Sequence, residues 1–355
     1  MTAKDMDPKS TQGRCGDVGT AAFDQTAQLE GDAMSQANAD SASPRAVVIT
    51  GASSGIGRSC ALHLDGLGFH VFAGVRRVAD GEALARVASS RLSPIVVDVT
   101  DPGAVEAAYQ TVSDRRIALA GLVNNAGSTV PCPVEYLPLD TLRKQLEVNL
   151  IGHVAMTQAF LPLLRRSRGR LVNISSLAGR LPVPGMGSYT AAKHALEGLS
   201  GSLRLELAGA GIHVAVVEPG NIHTSMSAKL HRDVTAALSA MSDDDTGHYG
   251  ALVRGVEAAI TDGAEHGAPP EVVAEAVAHA LTSRRPRIRY PVGPQAGRMT
   301  LLARVLPDRL LDVMLQRKFA PRPEPASAAA LHSLSRSTGG IASPAAPTSM
   351  TGVPD

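Results

Sequence analysis

The chain has 355 residues, 44% of them apolar, so it is long enough and apolar enough to bury a sizeable core. Its 34 Lys and Arg nearly balance its 33 Asp and Glu, and aromatic residues make up only 3%, with no Trp. The balanced charge argues against nucleic acid or an anionic membrane as the main partner, and the shortage of aromatics argues against base stacking. These numbers favour a small-molecule partner.

The cysteines and apolar runs suggest a compartment. Cys15, Cys60 and Cys132 are far apart and form no CxxC pair, which argues against a disulfide framework and a zinc site and fits a reducing cytoplasm. No signal-peptide-like run and no stretch of 18 uncharged apolar residues occurs, so neither secretion nor a transmembrane segment is predicted. The eleven histidines lack metal-ligand spacing, so no metal is expected.

Composition divides the chain into three parts. Residues 1–44 are rich in small and polar residues and are predicted to be a disordered leader. Residues 321–355 are a mixture of Pro, Ala, Ser and Thr that cannot offset its ordering entropy, and a disordered tail is predicted. The folded domain is therefore expected to span residues 45–320.

Within that domain, short apolar runs alternate with segments of helical spacing such as Leu142–Leu164 and Ser188–Ala208. The alternation predicts βαβ units, and hence an α/β fold: a doubly wound, Rossmann-like parallel sheet in a single domain, with a C-terminal extension over residues 287–320. Ligands of such sheets bind beyond the carboxyl ends of the strands. The predicted strands are Ala46–Thr50, His70–Val75, Pro94–Val99, Gly121–Gly127, Arg170–Ser175 and His213–Gly220.

The first predicted strand runs directly into the sequence TGASSGIG. This places Gly51, Gly55 and Gly57 in a turn that opens a helix at about Ile56. Glycine lets the backbone approach a pyrophosphate, and the helix N-terminus offers free N–H groups. A glycine-rich turn without a ligand is the alternative, but the position after the first strand favours a dinucleotide.

The second strand ends without an acidic residue. A carboxylate for the ribose hydroxyls usually follows this strand in an NAD site, but here Val75 is followed by Arg76 and Arg77. An arginine at this place can pair with a 2′-phosphate, so the sequence favours NADP(H) over NAD(H). The alternative is an ordinary surface arginine.

Tyr189 and Lys193 are four residues apart in a segment with helical spacing, which puts them on one face of the predicted helix. A tyrosine hydroxyl titrates near pH ~10, too high for efficient proton transfer at neutrality, and a nearby ammonium lowers that value. By itself this spacing is common on helices, so it needs support from other motifs.

Several further motifs occur in a fixed order. These are TGASSGIG, Asp98, NNAG at Asn124–Gly127, Asn149, a strand ending ISS, YTAAK at Tyr189–Lys193, and EPG at Glu218–Gly220. In this order they resemble the short-chain dehydrogenase/reductase family over roughly residues 45–224. The resemblance implies an NAD(P)-dependent oxidoreductase that moves a hydride between nicotinamide and an alcohol or ketone carbon. A cofactor-binding regulatory or scaffold protein on the same fold is the alternative.

The resemblance also implies catalytic roles. Tyr189 would be the acid/base, and Lys193 would hold the nicotinamide ribose and tune Tyr189. Ser176 would hydrogen-bond the substrate oxygen. It is preferred over its neighbour Ser175 because it precedes Tyr189 by 13 residues, a separation that the family commonly shows. Asn149 would hold a water in a proton relay behind Lys193, with a satisfied structural asparagine as the alternative.

For the cofactor, the resemblance implies that Asp98 meets the adenine, with a strand-end cap as the alternative. Asn125 and Gly127 would line the adenosine ribose, and Thr224 would contact the nicotinamide carboxamide. The complete predicted cofactor set is Gly51, Ser53, Gly55, Ile56, Gly57, Arg76, Asp98, Val99, Asn125, Gly127, Tyr189, Lys193, Pro219, Gly220, Ile222 and Thr224.

Finer details resemble the branch of retinol and hydroxysteroid dehydrogenases and mitochondrial-type 3-hydroxybutyrate dehydrogenase, which implies a lipophilic alcohol or ketone and a homodimer or homotetramer. Residues 225–270 would form the substrate lid, with Asp243–Asp245 and Gly247 in a mobile, exposed turn. A basic amphipathic stretch over residues 301–318, interrupted by Pro307, predicts core or lid packing, with peripheral membrane contact as the alternative.

Overall fold

The computed structural model describes residues 45–224, 230, 232–234 and 243–319, except for the side chains of 243–247 and 264. The predicted leader and tail lie outside the described residues, and so does much of the predicted lid between 225 and 242.

A seven-stranded, entirely parallel sheet forms the centre of the protein, in the order β3-β2-β1-β4-β5-β6-β7. The strand order reverses between β1 and β4, and dinucleotides bind at such a reversal in doubly wound sheets. The predicted α/β fold is therefore confirmed. The strands are β1 (Arg45–Ile49), β2 (His70–Val75), β3 (Leu92–Val96), β4 (Ala118–Asn124), β5 (Arg170–Ile174), β6 (His213–Pro219) and β7 (Arg289–Val292).

Helices cover both faces of the sheet, which explains why its strands are almost continuously apolar. In β1, Val47 and Ile49 pack into the core on one face, and Ala46 and Val48 pack into the core on the other. The helices are α1 (Gly55–Gly66), α2 (Val78–Ala85), α3 (Pro102–Asp114), α4 (Leu139–Leu146), α5 (Gly152–Ser167), α6 (Gly187–Glu206), α7 (Asp243–Glu265), α8 (Glu271–Thr282), α9 (Ala296–Val305) and α10 (Asp308–Lys318).

Some predicted boundaries shift. The strand predicted at Pro94–Val99 is Leu92–Val96, and the one predicted at Gly121–Gly127 is Ala118–Asn124. The helix predicted as continuous over Leu142–Leu164 contains a π-helical turn at Glu147–Ile151. The strand β7, which contains Pro291, was not among the predicted strands; it lies at the sheet edge, where proline is tolerated.

The predicted exposed turn at Asp243–Asp245 and Gly247 is wrong, because α7 begins at Asp243. Acidic residues in a first helical turn interact favourably with the helix dipole, which explains the difference. In the C-terminal extension, Pro307 separates α9 from α10, and Leu311 and Leu315 pack with Leu181 in a third apolar cluster. None of the helices in the described ranges is long and apolar enough to cross a membrane.

Candidate active site and cofactor cleft

The turn after β1, called here the glycine turn, has no room for a side chain at Gly51 or Gly57. Gly51 and Gly55 have φ values of 68° and 53°, and a Cβ on Gly57 would lie 2.2 Å from the Gly51 carbonyl oxygen. The helix α1 begins at Gly55, and the Ser54 side chain does not cap it, so its first N–H groups face outward without an intrahelical partner. This cradle of main-chain donors fits the pyrophosphate of a dinucleotide.

Thr50, which sequence reasoning missed, fastens the NNAG segment to this turn. Its Oγ1 accepts hydrogen bonds of 2.9 Å from the backbone N–H groups of Asn125 and Ala126. The Asn125 amide nitrogen donates to the carbonyl oxygens of Thr50 at 2.9 Å and Gly51 at 3.2 Å. The carboxyl ends of β1 and β4 are therefore joined into one floor of the cleft.

On its other side, the NNAG segment is held by buried polar side chains from α4, the π turn and α5. Gln145 donates to the Ser128 carbonyl oxygen, and a His153 ring nitrogen lies 2.7 Å from the Ala126 carbonyl oxygen. Burial, followed by the charge of Lys193, lowers the pKa of His153 to about 3, so this ring is neutral. Polar residues at every fourth position of an apolar stretch were the available sequence signal.

Asn149 lies fully buried in the π turn, a distortion frequent at functional sites. Its Oδ1 accepts from the Ser128 N–H and its Nδ2 donates to the Ser128 carbonyl oxygen, both at 2.8 Å. The side chain thus has the partners expected of a satisfied structural asparagine. Because the amide oxygen has a second lone pair and the amide nitrogen a second hydrogen, these bonds do not decide whether a water is also held, and the relay role stays a prediction.

The structure brings Ser176, Tyr189 and Lys193 together at the carboxyl end of β5. The Lys193 Nζ lies 5.8 Å from the centroid of the Tyr189 ring and donates to the Ile174 carbonyl oxygen at 2.8 Å. The Ser176 hydroxyl hydrogen-bonds Tyr189 and also accepts from the Ala178 N–H at 3.1 Å. Ser175, by contrast, is buried, and its hydroxyl has no partner within the described ranges.

Burial dominates the electrostatics of these groups. Desolvation raises the pKa of Tyr189 above its ordinary value, and the hydrogen bond with Ser176 opposes the shift. Desolvation also lowers the pKa of Lys193 to about 8, while the charge of Glu197 opposes that shift. The expected lowering of the Tyr189 pKa is not seen, because desolvation of the phenol outweighs the effect that lowers it.

At the adenosine end, Arg76 lies exposed near Asp98. The Asp98 carboxylate accepts from the N–H and hydroxyl of Thr100 at 3.0 and 2.8 Å, and these bonds, with the Arg76 charge as a smaller contribution, lower its pKa. This is the strand-end cap considered as the alternative for Asp98. Arg77 is engaged by Asp80 at 2.9 and 2.8 Å, whereas Arg76 has no such pair in the described part of the chain.

The segment after β6 closes the remaining side. Gly220 follows Pro219 and donates to the Val292 carbonyl oxygen at 2.8 Å, and Ile222 forms a bridge with Ala268. A Cβ on Gly55 would lie 3.3 Å from the Thr224 Cβ, so Thr224 meets the glycine turn. The structure places the other predicted cofactor residues individually: Ser53 is exposed in the glycine turn, Ile56 lies in the first turn of α1, Val99 is buried after β3, and Gly127 packs against Asn149.

Comparison with known proteins gives one consistent result. The sequence profile described as "short chain dehydrogenase" matches residues 45–235. Retinol dehydrogenase 5 of Mus musculus is 38% identical, over 79% of this chain and 91% of its own length. The mitochondrial D-beta-hydroxybutyrate dehydrogenase of Mus musculus is 38% identical, over 71% of this chain and 78% of its own.

Solved structures agree. A short-chain dehydrogenase from Streptomyces avermitilis superposes with a TM-score of 0.62 at 27% identity, covering 84% of this chain and 99% of that one. One from Burkholderia cenocepacia J2315, in complex with NADP, gives 0.58 at 26% identity, covering 79% and 98%.

These matches confirm the resemblance and its branch, and the chain spans most of the length of these relatives. The relatives are dehydrogenases, and the glycine turn together with the Ser176, Tyr189 and Lys193 group fits the same chemistry. The chain therefore belongs to the short-chain dehydrogenase family and is an oxidoreductase that acts on CH–OH groups with a nicotinamide cofactor.

Proposed function

We propose that the chain transfers a hydride between NADP(H) and the alcohol or ketone carbon of a lipophilic substrate, steroid-like, retinoid-like or hydroxyacyl-like. The observation that carries this proposal is the grouping of Ser176, Tyr189 and Lys193 at the carboxyl end of β5. The substrate class is supported by relatives named for retinol, for D-beta-hydroxybutyrate and, at 35% identity, for estradiol in Mus musculus.

The chain's own residues handle the proton, while the nicotinamide cofactor, when bound, supplies or accepts the hydride. In reduction the Tyr189 hydroxyl donates a proton to the substrate oxygen, which Ser176 holds by a hydrogen bond. In oxidation the Tyr189 oxygen accepts that proton, and the ammonium of Lys193 favours the phenolate. Because burial raises the pKa of Tyr189, the protonated form suited to reduction persists to higher pH, and oxidation gains as the pH rises.

A panel of lipophilic alcohols and ketones, assayed with both NADP(H) and NAD(H), tests the proposal directly. We expect turnover with at least one steroid, retinoid or hydroxyacyl compound, followed by nicotinamide absorbance. A protein that binds NADPH in a fluorescence titration but consumes none across the panel would favour the scaffold alternative. The close approach of Ser176 to Tyr189 argues for the enzyme.

For the cofactor, Arg76→Ala is expected to raise the KM for NADP(H) while changing that for NAD(H) little. A charge-assisted pair with a 2′-phosphate contributes about 1 to 3 kcal/mol, or roughly 5- to 150-fold. Arg77→Ala is the matched control, because its guanidinium is already held by Asp80. A wild-type preference for NAD(H), or equal weakening of both cofactors as expected if Arg76 stacks on adenine, would contradict the pairing.

We also propose peripheral membrane contact through the outer faces of α9 and α10. Leu301 and Val305 are 61% and 62% exposed, and Leu310 and Val313 are also exposed, with arginines beside them. The buried faces of the same helices pack on the rest of the protein. Core packing and membrane contact, the two predictions for this stretch, are therefore compatible. Flotation with anionic and neutral vesicles tests the contact, and Leu310→Glu should weaken it; equal flotation of both proteins would reject it.

A homodimer or homotetramer in the cytoplasm remains our proposal for the assembly and location. The free thiols of Cys60 and Cys132 suit a reducing compartment. Light scattering of the purified protein and fractionation of expressing cells are the measurements; a monomer, or recovery outside the cytoplasmic and membrane-bound fractions, would refute them.

A further inference from the structure

A cluster of four charged side chains, two buried glutamates and two partly exposed arginines, lies behind the helix α6, which carries Tyr189 and Lys193. Glu197 of α6 is 5% exposed and Glu218 of β6 is fully buried. The Arg289 Nε lies 3.1 Å from an oxygen of Glu197 and 3.3 Å from one of Glu218. The Arg180 Nε is 3.9 Å from the same Glu218 oxygen. One guanidinium from β7 thus bridges two carboxyl groups from different elements, and a second approaches from the segment after Ser176.

This cluster adjoins the catalytic residues through α6. Glu197 lies one helical turn after Lys193, on the same buried face. The Lys193 Nζ donates to the carbonyl oxygen of Ile174, the last residue of β5, two positions before Ser176. A side chain anchored at Glu197 therefore fixes the helix turn that carries Lys193.

The turn that follows Ser176 packs directly on the same part of α6. A Cβ on Gly179 would lie 2.7 Å from the Ser175 Oγ, 3.1 Å from the Lys193 carbonyl oxygen and 3.2 Å from the Glu197 Cγ. Only glycine fits this approach without a shift of the backbone. Arg180 comes next in the chain, so its approach to Glu218 ties the same turn to β6.

The two carboxyl groups have different surroundings. Glu197 accepts a hydrogen bond of 3.1 Å from Arg289, whereas Glu218 meets the two guanidinium groups at the longer distances of 3.3 and 3.9 Å. Burial, and then the charge of Glu197, raise the pKa of Glu218 to about 7, while Arg180 and Arg289 oppose the shift. Neighbouring carboxyl groups in one buried site do not ionise together readily, so Glu218 keeps its proton at pH values below about 7 and loses it above.

We propose that Glu197 and Glu218, bridged by Arg289, are positioning residues of the catalytic centre. Glu197, as a carboxylate, keeps Lys193 an ammonium in a buried environment. Glu218 holds the proton of the pair, so the negative charge behind Lys193 increases as the pH rises. The proposal rests on Lys193 serving the hydride-transfer reaction proposed above.

The protonation of Lys193 determines the direction in which the pH profile of the Glu197 variants should move. Its pKa is about 8, because burial lowers it and Glu197 opposes the shift. Without the Glu197 charge, Lys193 should lose its proton at lower pH. The alkaline limb of the kcat/KM profile in Glu197→Gln should therefore move to lower pH by about one unit, whereas Glu197→Asp, which keeps the charge, should restore most of that shift.

Glu218→Gln should behave differently. Gln resembles the protonated acid. The difference in kcat/KM between this variant and wild type should therefore grow as the pH rises through about 7, where Glu218 ionises. Glu206→Gln is the matched control, since Glu206 is exposed at the other end of α6, and its profile should follow wild type.

The pH dependence of NADPH binding, followed by fluorescence, is measured on the same variants and requires no turnover. It separates this proposal from the proposed function: shifted binding profiles without turnover would support the cluster and reject the reaction. Melting curves establish that each variant is folded. A Glu197→Gln profile within 0.2 pH units of wild type, or a lowered melting temperature with unmoved profiles in both variants, would overturn the proposal. If Glu197→Gln does not fold, the Glu218→Gln profile decides.

Discussion

The Tyr189→Phe variant is expected to lose roughly 10²- to 10⁴-fold in kcat while it retains NADP(H) affinity within about twofold. The substitution removes only the hydroxyl that exchanges a proton with the substrate and hydrogen-bonds Ser176; the ring and its place beside Lys193 remain. Steady-state rates with the best substrate of the panel, together with NADPH fluorescence titration, measure both quantities.

Tyr109→Phe is the control for loss of a tyrosine hydroxyl. Tyr109 packs edge-on against Phe160 between α3 and α5, in an apolar cluster that contains none of the catalytic residues. Loss of its hydroxyl should therefore leave kcat near the wild-type value. Activity of Tyr189→Phe within tenfold of wild type would reject Tyr189 as the acid/base. A parallel loss of NADPH affinity would instead mean that the variant disturbs the cleft.

Gly57→Ala is expected to weaken NADP(H) binding at least about tenfold and to lower the melting temperature. The added Cβ would lie 2.2 Å from the Gly51 carbonyl oxygen and 2.4 Å from the Asn125 amide nitrogen. The first of these atoms belongs to the backbone, so the glycine turn itself must open. Fluorescence titration and thermal unfolding report the two effects.

Gly66→Ala, at the far end of the same helix, is the matched control. A Cβ there meets nothing within 4 Å, and alanine stabilises a helix relative to glycine by up to about 1 kcal/mol. Its NADPH affinity should equal that of wild type. If Gly57→Ala bound NADPH as tightly as Gly66→Ala, the glycine turn would not be the phosphate cradle.

The sheet could be predicted from sequence because strands buried on both faces appear as short apolar runs. Their ends could not, because they depend on partners. The run that begins at Gly121 continues to Gly127, but the strand ends at Asn124. The next two N–H groups, of Asn125 and Ala126, donate to the Thr50 Oγ1 instead of pairing with a neighbouring strand. Likewise, β3 ends at Val96, the register partner of Val75, where the neighbouring strand β2 also ends.

The order of the motifs was enough to place Ser176, Tyr189 and Lys193, because motif order and the helical spacing of Tyr189 and Lys193 can be seen in the sequence itself. The surroundings of these residues are not local. Arg180 and Arg289 come near the site only through tertiary packing, and no spacing in the sequence marks them as neighbours. For the same reason, spacing predicts that an ammonium is one turn from Tyr189, but not that burial governs the pKa of the phenol.

The ion pair between Glu197 and Arg289 joins positions 92 residues apart, and it has a consequence for biosynthesis. The ribosome releases α6 well before β7, so Glu197 of the nascent helix emerges before the guanidinium that hydrogen-bonds its carboxylate. Burial of a carboxylate without its hydrogen-bond donor is strongly unfavourable, so α6 should dock stably on the sheet only after Arg289 has emerged. A chain cut short by a premature stop codon before β7 should then be inactive and open to proteolysis rather than a partly working enzyme.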